Sequence, residues 1–136
     1  MKTMKTVVRG SAIVAALLMA GLVQANDEKC TDPMVDGGAH MQALEKAILG
    51  ATFTAGKKWT VSPDQANLLS KKEAAWSKVL DSSYGDAVGK LDDIVTKVTD
   101  LLNAPKEKID EAGGQNILLA TDDAIRCVID LQMANY

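Results

Sequence analysis

The residues with the widest chemical reach in this chain of 136 are two cysteines, a single histidine and six methionines. Cys30 and Cys127 stand far apart, and His40 is followed directly by Met41. The cysteine spacing rules out a Cys-x-x-Cys-His haem attachment. A zinc site would need His40 with carboxylates or thiolates, and cysteines bonded to each other do not serve as ligands. His40 with Met34, Met41 and Met133 has the softness of a copper site. The plainer reading puts Met41 in the core, His40 at an exposed helix start, and Met34 and Met133 at the chain ends. No metal or cofactor is expected on that reading.

Hydrolytic chemistry finds little to work with. A Ser/His/Asp set would have to use His40, and there is no Gly-x-Ser-x-Gly elbow. The adjacent carboxylates Asp92-Asp93 and Asp122-Asp123 point about 100° apart on a helix, so neither pair converges on one substrate atom. Gly37-Gly38 and Gly113-Gly114 read as punctuation rather than phosphate loops. The expectation is a protein that is not an enzyme. Lys57, Lys58 and Trp59 form a possible binding face, where charge and an aromatic ring meet at the end of a helix.

The elements that must position these residues begin with a leader. Lys2, Lys5 and Arg9 precede an apolar run from Ser11 to Leu22, shorter than the ~20 residues of a membrane span. Val23-Gln24-Ala25 suits a signal peptidase, so residues 1–25 are expected to be cleaved, with 26–136 as a single helical domain. Four residues intervene before Cys30, against a lipoprotein. The whole chain has a net charge of −3. Loss of the three leader cations leaves about −6. That balance disfavours nucleic acid and anionic lipid as partners. The product is expected in the periplasm or outside the cell, with no stable membrane insertion after cleavage.

Two cysteines in an exported chain are expected to pair. A Cys30–Cys127 bond would tie the beginning of the domain to its last helix. The alternative is a bond to a second subunit, so the product is a monomer or a homodimer. Cysteines near both ends of a small exported helical chain resemble the layout of secretoglobins, and that resemblance implies a covalent dimer.

Periodicity predicts an all-α fold, a small compact bundle of about four helices with one disulfide. After an irregular lead-in, helix one spans Ala39 to Ala55, with Met41, Leu44, Ile48, Ala51 and Ala55 inward and Gly56 as the stop. Ser62-Pro63-Asp64-Gln65 opens helix two, Gln65 closing a capping box, and the helix runs to Leu80. Its inward face holds Leu68, Leu69, Ala75, Trp76, Val79 and Leu80, and Lys71, Lys72 and Glu73 form an exposed charged stretch. Ser83 and Asp86 have capping-box spacing at the start of helix three. There Ala87, Leu91, Ile94, Val98 and Leu101 alternate four and three, Val88, Val95 and Leu102 widen the face, and Gly89 marks close packing. Pro105 ends this helix, Lys106 to Ala112 adds a turn or two with Ile109 inward, and Gly113-Gly114 stops it. The last helix, Gln115 to Met133, turns a wide face of Ile117, Leu118, Thr121, Ala124, Ile125, Cys127, Val128, Leu131 and Gln132 inward and pairs Arg126 with Asp122 and Asp130.

The function expected by elimination is binding of another protein, as an inhibitor, an immunity protein or a chaperone does. An acid-activated periplasmic chaperone has a similar layout of leader, helices and two cysteines. The alternatives are a carrier for a small apolar ligand, held between helices or in a dimer cavity, and a metal or redox protein using His40 and methionines.

Overall fold

The computed structural model describes residues 29–54 and 62–134. The expected leader and the Lys57, Lys58 and Trp59 face lie outside the described residues. Four α-helices follow one another: α1 (Gly38–Gly50), α2 (Pro63–Leu80), α3 (Tyr84–Leu102) and α4 (Glu111–Ala134), and α1 is preceded by a π-helical turn at Pro33–Gly37. Each helix packs on its neighbour in sequence, and α4 returns to α1, which closes the ring. The result is a small all-α bundle, each helix burying its apolar face against its neighbours. None of the described helices is long and apolar enough to cross a membrane.

The core is built from the predicted rows. Ala87, Leu91, Ile94, Val98 and Leu101 on α3 are all buried, as are Ile117, Thr121, Ala124, Cys127, Val128 and Leu131 on α4, whereas Leu118, Ile125 and Gln132 lie at the edge of that face and are half-buried. Thr121 satisfies its hydroxyl by donating to the Ile117 carbonyl at 2.6 Å. Met41, Leu44 and Ile48 supply the α1 side.

Helix one is shorter than expected at one end and longer at the other. Ala51 leaves α1 with extended backbone (ψ 151°). Thr52 to Thr54 then pairs with the segment before α4: Phe53 bridges Ile109, Thr54 N–H donates to the Lys108 carbonyl, and Asp110 N–H donates to the Thr52 carbonyl. Lys106 to Asp110 is therefore a short extended link rather than a helical turn, although Ile109 is buried as predicted.

The lead-in, expected to be irregular, is instead ordered from Asp32 onward by a cap. Asp32 accepts from the N–H groups of Met34 (2.9 Å) and Val35 (3.2 Å), with Pro33 in the first helical position. Asp36 reciprocates by accepting from Thr31 N–H at 2.8 Å and Asp32 N–H at 3.0 Å, and these bonds hold its pKa below the ordinary carboxylate value. The turn therefore runs straight into α1 through Gly37 and Gly38, both with right-handed helical dihedrals.

Ser62 caps α2 by accepting from Asp64 N–H at 3.1 Å. Gln65 does not close the box. Its amide instead donates to the Ile48 carbonyl at the end of α1, 3.1 Å away, and so ties two helix ends together. The ion pair of Lys97 and Asp64 (3.0 Å) joins α3 to the same corner. At its other end α2 stops in a Schellman motif. Ser83 N–H donates to the Lys78 carbonyl, and Ser82 N–H to the Val79 carbonyl. Ser82 holds the left-handed position at φ 63°, where glycine is favoured. Ser83 makes no side-chain cap to α3, so the expected Ser83–Asp86 box is absent.

Three further expectations are corrected. Gly113 and Gly114 lie inside the first turn of α4 and are buried, letting it press against Ala51 and Leu102. Gly89 does the reverse of what was expected: a side chain there would meet nothing within 4 Å. Lys72 is only 5 % exposed, on the buried stripe with Leu68, Ala75 and Val79. Its ammonium donates to Glu45 of α1 at 2.9 Å and to neighbouring Glu73. Burial opposes that charge, but the two carboxylates outweigh it and raise the Lys72 pKa.

Candidate functional site

Cys30 and Cys127 are bonded within one chain, with Cα atoms 5.2 Å apart and 97 residues of separation. Both cysteines are buried. Asp130, one turn along α4 from Cys127, accepts from the Cys30 N–H at 3.2 Å and fixes the approach of the lead-in to the helix. It is therefore not committed to Arg126, which pairs with Asp122 at 2.8 Å.

His40, in the first turn of α1, meets this bond. A ring nitrogen of His40 and the two sulfurs lie within 4.8 Å of one another. Two carboxylates interact electrostatically with the same imidazole: Asp36, one turn earlier in the chain, and Asp123, one turn before Cys127. Burial raises the Asp123 pKa, and the charges of His40 and Arg126 only partly counter it. The structure thus gathers a disulfide, an imidazole and carboxylates from three parts of the chain. Sequence reasoning placed His40 at an exposed helix start and did not join it to the cysteines. The join depends on the rotation of α1 against α4, for which no local pattern exists. The sulfurs beside His40 are those of the cysteines. Met41 is in the core, and Met34 and Met133 are exposed.

The second feature is an apolar surface. The π-helical turn lies across one end of the bundle, with Gly37 against Val79, Leu131 and the Trp76 ring. At this end α2 and α4 finish and α3 begins. It leaves four large apolar side chains in solvent: Met34 (63 % exposed), Val35 (65 %), Leu80 (50 %) and Met133 (66 %). Leu80 was expected to face the core. It is the last residue of α2, beyond the reach of α3, which begins four residues later. Asp32, Asp36, Asp81 and Asp86 belong to the same end, all from the segments that cap or connect its helices.

A carrier would need space between the helices. Leu44, Ile48, Leu68, Leu91, Ile94, Ile117 and Leu131 are fully buried there. Among the described residues, a depression lined by Ala39, Gln42, Ala43, Glu45, Lys46 and Leu49 opens on the outer face of α1.

No family model, curated protein or solved structure matches the chain.

Proposed function

We propose that this is an exported, non-enzymatic module that binds another protein through the end of the bundle carrying Met34, Val35, Leu80 and Met133. The observation that carries the reading is the exposure of these four side chains together on a domain of this size. Scattered apolar residues need no explanation, but a group gathered at one end of a small domain marks a contact surface. Methionine suits such a surface, because its unbranched, polarisable side chain repacks against different partners at low cost. The acidic residues of the same end favour a partner that surrounds its apolar anchors with lysine or arginine. Such a rim sets the rate of encounter more than the final affinity. The internal bond and the capped lead-in hold the surface ready, which reduces the ordering cost of binding.

The test is site-specific photo-crosslinking of the exported protein in its own host. A probe at Val35 should give one dominant protein adduct, and a probe at Asp93, exposed on α3, should not. Val35→Glu with Met133→Glu should abolish co-purification of that protein while leaving the helical spectrum intact. Equal adducts from both positions, or none from Val35, would remove the reading.

A further inference from the structure

We infer that, once the Cys30–Cys127 bond is reduced, the two thiolates and His40 form a three-ligand site for Zn²⁺. The inference stands apart from the apolar end and would survive its failure. It rests on convergence: three donors from the lead-in, α1 and α4, all within 4.8 Å of one another. In a tetrahedral zinc site, bonds of about 2.0–2.3 Å place neighbouring sulfur and nitrogen donors roughly 3.5–3.8 Å apart. The sulfurs must separate from bonding distance, which side-chain rotation supplies, since the Cα atoms stay 5.2 Å apart on a fixed scaffold. The imidazole lies no more than 4.8 Å from each sulfur, so a further side-chain adjustment of about 1 Å completes the set.

The surroundings suit a cation. Asp36 and Asp123 act on His40 through their charge, and negative charge near the site favours a bound cation. Water fills the fourth position, as in open three-ligand zinc sites. The disulfide and the metal thus alternate as the staple between the lead-in and α4. A dithiol reductant supplies two electrons and two protons: it ends as a disulfide, the Cys30–Cys127 S–S bond breaks, and two thiols form. Zn²⁺ then binds both sulfurs as thiolates, and the two thiol protons pass to solvent.

The experiment is a Zn²⁺ titration of the purified protein against a chromophoric chelator, oxidised and after reduction with a phosphine, followed in parallel by circular dichroism. Reduced protein should bind one Zn²⁺ per chain, and the oxidised protein at least 100-fold more weakly. Loss of an outer-shell partner already costs about 10–100-fold in affinity, so reduced His40→Ala, which loses a ligand, should weaken by about 100-fold or more. The double variant Cys30→Ser with Cys127→Ser should lose the site although every carboxylate remains. If the reduced chain unfolds without metal, Zn²⁺ should restore its helix in the native sequence and not in His40→Ala. Equal binding by reduced native and His40→Ala protein, equal binding by oxidised and reduced protein, or no binding by reduced native protein would each overturn the inference.

Discussion

Replacing Gly113 with alanine puts a carbon where the fold has no room for one. A Cβ built there lies 2.6 Å from the Cβ of Ala51, 2.8 Å from its Cα, and against the Asp110 carboxylate. Ordinary carbon contacts are about 3.5–4.0 Å, so the overlap approaches ~1 Å and falls partly on backbone. No rotamer change relieves it, and the start of α4 must move away from Ala51. Overpacking of this kind costs about 1–3 kcal/mol. The displaced Asp110 carboxylate is itself the cap of α4. It accepts from Gly113 N–H at 2.9 Å and from Thr52 N–H at 2.7 Å, and a weakened cap adds about 1 kcal/mol. Against this, alanine gains up to about 1 kcal/mol of helix propensity over glycine. The net expectation is destabilisation by about 1–3 kcal/mol. Gly89→Ala is the internal control, with the same chemistry in open space, and it should stabilise by up to about 1 kcal/mol. Urea unfolding of both variants, with unchanged m, should separate them by about 2–4 kcal/mol, and each kcal/mol should shift Tm by roughly 4 °C or more. If Gly113→Ala is as stable as Gly89→Ala, the close approach of α4 to Ala51 is refuted.

Other predictions follow from particular contacts. Ser82→Gly should stabilise by about 0.5–1 kcal/mol in the same assay, because it removes the left-handed strain of a residue with a Cβ. Lys72→Met should change stability by under about 1 kcal/mol, whereas Glu45→Ala with Glu73→Ala strands a buried ammonium and should destabilise more. Since the Lys72 pKa is raised on folding, its contribution is full below its unfolded value and is lost as pH rises through the folded value; Lys72→Met should flatten that alkaline limb. The Asp110 pKa is lowered on folding by its backbone donors, so its contribution is present above the unfolded value and lost as pH falls through the folded one. Asp110→Ala should therefore reduce the acid sensitivity of unfolding and cost about 1–2 kcal/mol near neutral pH. Asp123, raised by burial, acts in the opposite sense, and Asp123→Asn should gain relative stability as pH rises through its folded pKa.

Helix α3 was the most legible element, because its inward row is uninterrupted and every member is buried. The pairing of Cys30 with Cys127 was legible from their number and the expected export alone. Lys72 shows where residue type misleads: it stands four after Leu68 and three before Ala75, on the buried stripe, yet its charge suggested solvent. Periodicity was the better guide, and the two glutamates that make burial tolerable were visible only in three dimensions. Gly113 and Gly114 misled for a related reason. Glycine commonly ends helices, and only the positions of Ala51 and Leu102 reveal that these two admit close contact. The approach of His40 to the disulfide, and the gathering of Met34, Val35, Leu80 and Met133 at one end, depend on how helices are turned against one another. A single sequence does not encode that locally.

The end surface and the His40 cluster both depend on Cys30 bonding to Cys127 of its own chain. In the chain-entropy model a closed loop of this length is worth about 4–5 kcal/mol, so the bond also carries much of the domain's stability. The direct measurement is disulfide mapping by mass spectrometry on protein oxidised from a mixture of nitrogen-15-labelled and unlabelled chains. An internal bond gives a linked Cys30–Cys127 peptide that is wholly heavy or wholly light, from a species that stays monomeric. Linked peptides with one heavy and one light half would show the bond running between chains, and would contradict the stapled bundle.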